Sequence, residues 1–243
     1  MRLSRLLLCV ASLITLVAAI PAAHADNIAW THWTGVTSGS PGTGTGTIST
    51  AKYGSVGVTY SGQTSGLLTN YPSWGPSTTF SGGIVGNAPP ASFNSIQLEG
   101  GVTYTETVTF SQTLADPIFA VWSLGAPGAP ATFVFTAGEN FNVLDGGPSN
   151  EFGGTPLIIS SGAVSGREGN GIIQFIGNYN SISFTTPQFE SYYAFTFGED
   201  DTLTTQIGGG DGGGVTPEPS SLLLLATGLT GVAGIARRKM CIG

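Results

Sequence analysis

Few side chains in this 243-residue chain are suited to chemistry. The only imidazoles are His24 and His32, and the only thiols are Cys9 and Cys241. A Ser-His-Asp relay would have to run through His32, and no G-x-S-x-G turn accompanies it. A partly exposed strand histidine is the plainer reading. Both cysteines lie in terminal segments, so the stretch between them offers no disulfide, thiol ligand or thiol nucleophile, and zinc sites built from Cys and His are excluded. Glycoside hydrolysis needs two carboxylates that face each other. Glu99, Glu106, Glu168 and Glu190 are available, but no spacing singles out a pair, and surface carboxylates are the plainer reading. No catalytic residue is assigned, and the chain is expected not to be an enzyme. Glu199-Asp200-Asp201 groups hard oxygen ligands of the kind calcium takes, and Asp145 or Asp26 could join them in space. The run matches no known calcium loop; a structural calcium ion is the one cofactor considered.

Aromatic rings suggest a different chemistry. Sugar-binding sandwiches stack pyranose rings on Trp and Tyr and hold hydroxyls with amides and carboxylates in a shallow site. "NIAWTHW" and "TNYPSWGP" place Trp30, Trp33, Tyr71 and Trp74 near turns, where exposure would let them bind glycan. The competing reading is that they pack in the core or cover sheet edges. Trp122, inside an apolar strand, is a core residue. Thr-x-Thr rows occur in "GTGTGT" and "TYTETVT". A lattice for ice would need such rows on several successive strands, and these two are isolated, with no internal repeat.

The elements that must carry these residues are strands. Period-two alternation puts Val102, Tyr104, Glu106, Val108 and Phe110 on one face and Thr103, Thr105, Thr107 and Thr109 on the other. "ATFVFT" and "SISFT" alternate likewise, and "PIFAVWSL", "GIIQFI" and "YYAFTF" read as strands buried on one or both faces. Gly-rich turns such as "GAPGAP", "LDGGPSN" and "GREGNG" separate about ten to twelve strands, which predicts an all-β fold, an antiparallel β-sandwich of jelly-roll-like kind. "SGSPGTGTGTIST" reads as a flexible loop leading into an edge strand. The expected domain runs over residues 26–207, with a Gly-rich linker at 208–214. From Asp26 to Asp211, two basic residues stand against thirteen acidic ones, a net charge of −11. That excludes nucleic acid as a partner.

The two ends are addresses. Arg2 and Arg5, the apolar run Leu6 to Ile20 and the small-x-small site Ala23-His24-Ala25 form a signal peptide over 1–25, helical in its apolar part. Signal peptidase is expected to release a chain that starts at Asp26. At the other end, Pro217-Glu218-Pro219 keeps the chain extended. An apolar transmembrane helix over 220–236 follows, about 26 Å long against a hydrocarbon core of about 30 Å. Arg237, Arg238 and Lys239 would remain on the cytoplasmic side.

These residues carry a resemblance. Pro217-Glu218-Pro219, a short Leu/Gly/Ala-rich span and a basic end resemble the PEP-CTERM sorting signal of Gram-negative bacteria, over 215–239. The same tail type is also called the ice-binding protein C-terminal domain, a label that is no evidence of ice binding. The resemblance implies recognition by an exosortase, transient anchoring in the inner membrane, and delivery to the cell surface or into exopolysaccharide, commonly in biofilm-forming species. "MCIG" after the basic cluster departs from the pattern. "VTFSQTLADPIFAVWSLG" and "REGNGIIQFIGNYNSISFTTPQFESYYAFTFG" look similar to β-sandwich ectodomains found among such proteins, which implies no activity. Two functions follow. One is a structural or adhesive matrix protein that binds glycan, and the other is a secreted polysaccharide hydrolase. Facing carboxylates in a buried cleft would mark the hydrolase; a flat aromatic platform without them would mark the binder.

Overall fold

The computed structural model describes residues 25–201. The expected signal helix, Gly linker, sorting motif and transmembrane helix lie outside the described residues, apart from Ala25. Backbone pairing begins at Asp26, whose N–H donates to Ile84 O at 2.6 Å.

Fourteen strands make up the described fold, and all but one of their pairings are antiparallel. Two long strands organise it. β6 (Ser95–Ala115) and β14 (Asn178–Asp200) pair along most of their length, from Asn178↔Ala115 to Phe195↔Ile96. The ribbon they form folds over midway. On β6 the fold falls at Gly100 and Gly101, with φ of 63° and 75°. A Cβ on Gly100 would come within 2.4 Å of Gln188 O, so only glycine fits. On β14 the register shifts at the same level, between Thr186 and Tyr193. Folding brings Phe184 and Phe195 of the same strand within 6.0 Å, ring to ring. One hydrogen-bonded sheet thus becomes two facing layers, a sandwich-like arrangement.

The first layer joins the N-terminal half of β14 to the C-terminal half of β6 and continues through β4 (Gly54–Thr64), β3 (Gly39–Thr50) and β2 (His32–Thr37). β8 (Ala131–Phe135) pairs with β14 on its other side and with β12 (Ala163–Gly166), which carries β11 (Ile158–Ser160). The second layer joins the C-terminal half of β14 to β1 (Ile28–Trp30) and to β7 (Ile118–Leu124). Beyond β7 lie β13 (Gly169–Phe175), β9 (Phe141–Gly146) and β10 (Thr155–Pro156). β5 (Gly66–Leu68) pairs with the start of β6.

Alternation sends Phe119 and Val121 of β7 into the space between the layers, against Phe133, Phe184, Phe195 and Phe197. Ile118, Ala120 and Trp122 point out the other way. They are buried there by the chain between β5 and β6, which supplies Trp74, Phe80 and Val85 and includes the one-turn helix α1 (Ser77–Phe80) and a 3-10 turn (Ala91–Phe93). The second layer is therefore covered on both faces, which is why β7 is buried along its whole length.

Two expectations need correction. "SGSPGTGTGTIST" is no loop: Gly39–Thr50 is β3, paired on both sides, and β2 is the edge. Its glycines take the inward positions of a regular strand because neighbours come too close for a Cβ. On Gly44 one would meet Ile96 Cδ1 at 2.8 Å, and on Gly46 it would meet Thr31 Cγ2 at 2.7 Å. Nor are the Thr rows isolated, since Thr45 pairs with Thr59 and Thr59 with Thr109 on three adjacent strands. Glu106 falls on the core-facing side of β6 as its alternation predicts and is fully buried. Its oxygens accept bonds from Thr186 Oγ1, Tyr60 OH and Gln63 N. Burial raises its pKa and these three bonds act against the rise; it is a satisfied core carboxyl.

Candidate functional site

The aromatics chosen from sequence part company in the structure. Trp30, Trp33 and Trp74 are buried, at 2%, 0% and 1% exposure, so no sugar can stack on them from solvent. Trp30 and Trp33 lie on β1 and β2 with their rings turned inward, and Trp74 lies in the segment that crosses over the second layer. Tyr71 is different. It remains half-exposed, and its ring meets Trp122 edge-on at 5.1 Å and Tyr192 at 6.3 Å. Phe152, 50% exposed, lies 5.3 Å from Trp122 and 6.2 Å from Tyr192, itself 37% exposed. Three partly open rings thus surround a buried tryptophan.

Each ring comes from a different element. Trp122 sits near the C-terminal end of β7, and Tyr192 on β14 where the ribbon folds. Tyr71 starts the crossing segment, its carbonyl held by Ser95 Oγ at 2.9 Å. Phe152 lies in the turn after β9. That turn is fastened by Asn170 of β13, which is fully buried. Its Nδ2 lies 3.1 Å from Gly147 O, 2.9 Å from Gly153 O and 2.8 Å from Glu168 O, while its Oδ1 accepts from Ser123 N at 2.8 Å. One side chain thereby ties the turn, the end of β7 and the start of β13 together.

Three carboxylates border the rings. Glu151 accepts from Trp122 Nε1 at 3.0 Å and Ser73 N at 2.9 Å. Burial alone would raise its pKa, but the bonds from Ser73 and Trp122 outweigh it and hold the group below the usual carboxylate range. Glu168 accepts from Ser123 Oγ at 2.5 Å. Glu190 accepts from Tyr192 N at 3.0 Å and Gly125 N at 3.3 Å. Burial raises the Glu190 pKa, and the nearby charge of Glu168 adds to the rise. Sequence spacing did not pair Glu168 with Glu190. They meet because both reach the end of β7, where Glu168 N also donates to Gly125 O at 2.8 Å. The backbone is strained at the same place, with φ of 59° at Ser123, 53° at Glu168 and 51° at Trp74. Positive φ at non-glycine residues collects at sites whose geometry is held by their surroundings.

The calcium candidates separate. Glu199 points between the layers and is fully buried, with Lys52 Nζ 3.9 Å from its Oε1. Asp201 accepts from Ala51 N at 2.5 Å, and Asp200 pairs through its backbone with Ile28 of β1. Among the described residues, no three His, Cys, Asp or Glu side chains converge to hold a metal ion. His32 is exposed and stacks on Phe93 at 5.0 Å.

Comparison with known proteins identifies the tail. Residues 215–239 match the family model described as PEP-CTERM protein-sorting motif, the stretch that contains Pro217, Glu218, Pro219, Arg237, Arg238 and Lys239. The motif implies exosortase-dependent export and sorting to the cell surface. No curated protein and no solved structure is matched.

Proposed function

We propose that this is a non-enzymatic surface or matrix protein whose domain binds glycan through Tyr71, Phe152 and Tyr192. The PEP-CTERM tail supports the delivery route, in which signal peptidase cuts before Asp26, a transmembrane span holds the chain in the inner membrane of a Gram-negative cell, and an exosortase then processes it near Pro217–Pro219. A role in exopolysaccharide or biofilm follows from that route. The observation that carries the binding is the cluster of three part-open rings around Trp122, bordered by carboxylates. Apolar ring faces take the C–H face of a sugar and the polar border takes its hydroxyls.

Two measurements test the reading. The intact mass of the protein from the host surface should correspond to a chain from Asp26 to about Pro217–Pro219. A membrane-held chain that still carries Lys239 would end the sorting argument. For binding, Phe152→Ala and Tyr192→Ala should each weaken retention on the host's extracellular polysaccharide about tenfold without unfolding the domain, since both rings are part-exposed. Unchanged retention would place binding elsewhere.

One observation favours a hydrolase instead. Glu168 and Glu190 lie close enough for one charge to raise the other's pKa, a relation found in acid–base pairs. Against it, both oxygens of Glu190 already accept backbone N–H groups. Release of reducing ends from polysaccharide by the wild type, lost in Glu190→Gln, would establish this second reading. A structural calcium ion remains a proposal of the same order; a rise in Tm with added calcium, abolished by chelation, would support it.

A further inference from the structure

Resting on the glycan reading, we infer that the site takes an amine-bearing glycan, a polymer whose sugar units carry protonated primary amines. Three carboxylates, Glu151, Glu168 and Glu190, border four rings. Among the described residues, Lys52 and Arg167 are the only Lys or Arg side chains, and the one ion pair, Lys52–Glu199, lies elsewhere. Arg167 adjoins Glu168 in sequence, but its Nη1 donates to Pro127 O at 2.8 Å. The charge at the rings therefore has no cationic partner within the fold.

A neutral sugar would leave that charge unused, because its hydroxyls need donors as much as acceptors and the border offers mainly acceptors. An acidic polysaccharide would be repelled. An ammonium group suits both features. It is attracted to ring faces within about 6 Å of the centroid, and it donates charge-assisted bonds to carboxylates. Glu168 bonds Ser123 and Glu190 bonds Gly125 at the end of β7, so an ammonium held there meets both charges while the sugar ring rests on Tyr192 or Phe152. Glu151, already held by Ser73 and Trp122, fixes the tryptophan beneath.

The test uses the full chain in mild detergent and four probes: a glucosamine hexamer, its fully N-acetylated counterpart, a neutral glucose hexamer and hexalysine. The glucosamine hexamer should bind at least tenfold tighter than the other three at low salt, and raising the salt should shrink that margin. Glu168→Gln and Glu190→Gln should each cut its affinity several-fold and weaken the N-acetylated hexamer much less, with circular dichroism confirming the fold. Phe152→Ala should weaken both sugars. Equal binding of the acetylated or neutral hexamer would overturn the amine assignment and leave the glycan reading standing. Hexalysine binding as tightly as the glucosamine hexamer would make this a site for cationic peptide and overturn the proposal. Binding of none of the four would remove both readings.

Discussion

β14 carries two glutamates nine residues apart, and they have opposite fates. Glu190 lies where the ribbon folds. It is part-buried, both its oxygens accept backbone N–H groups, and it stands beside exposed rings. Glu199 lies at the other end of the same stretch, fully buried, with only Lys52 Nζ at 3.9 Å and the backbone N–H of Ala115 to compensate it. Burial raises both pKa values, to about 8 for Glu199, while at Glu190 the backbone bonds from Tyr192 and Gly125 act against the rise. A carboxylate surrounded by donors keeps its charge and can use it on a ligand. One buried with few donors becomes a cost to the fold whenever it ionises.

The largest expected effect tests that cost. Glu199 has a folded pKa of about 8 against 4.5 as its ordinary value. A group raised on folding gives its full stability below the unfolded pKa and loses it as pH rises through the folded one, so stability falls between about pH 4.5 and 8. The loss is about 5 kcal/mol at most, at about 1.4 kcal/mol per pKa unit. Glu139, raised by burial to about 7, acts in the same direction. Tm should therefore drop from pH 5 to pH 9, and Glu199→Gln should remove most of the drop. A wild-type Tm that climbs over this range would mean that Glu199 is solvated and the contrast with Glu190 is false.

Next in size is Asn170→Ala. It removes the buried partner of Ser123 N and Gly147 O, while Gly153 O keeps Ser149 N and Glu168 O keeps Thr155 N. Each such group costs about 1–3 kcal/mol unless water replaces the lost bond. We expect a loss of about 2–3 kcal/mol by denaturant unfolding, together with weaker glycan retention, because the turn that presents Phe152 is no longer fastened. Retention unchanged despite lower stability would show that the turn is held by other contacts.

How much of this was legible beforehand varied with the distance over which contacts form. Local alternation located the strands through Val108, Phe110, Phe133, Phe135, Ile182 and Phe184, all buried as their spacing requires. It failed at β3, where glycine was taken as a sign of flexibility; what places it there is the closeness of Ile96 and Thr31, which are distant in sequence. The site was less legible. Of the four rings with turn-like neighbours, Tyr71 is part-exposed, and Trp30, Trp33 and Trp74 are core. Glu151, Phe152 and Tyr192 meet Trp122, and Glu168 meets Ser123, only through the fold of the β6–β14 ribbon and the anchoring of one turn by Asn170. The only local sign was the doublet Tyr192-Tyr193, in which alternation must expose one ring and bury the other.

The smallest effects sharpen the comparison most. Glu190→Gln keeps one acceptor oxygen, so one of the two backbone N–H groups from Gly125 and Tyr192 loses its partner. Both are near solvent, and the expected cost is about 0.5–1 kcal/mol. Lys52→Met should cost less than about 1 kcal/mol at pH 6, where Glu199 is neutral and has little charge to offer, because part-exposed ion pairs contribute little. Above pH 8 the same substitution should cost more, since ionised Glu199 then has no cation near it. Glu190→Gln should show no such growth with pH. The decisive quantity is the difference between the two variants in the slope of stability against pH. Parallel slopes would mean that Lys52 and Glu199 act independently, and that hydrogen-bond supply does not separate the two glutamates.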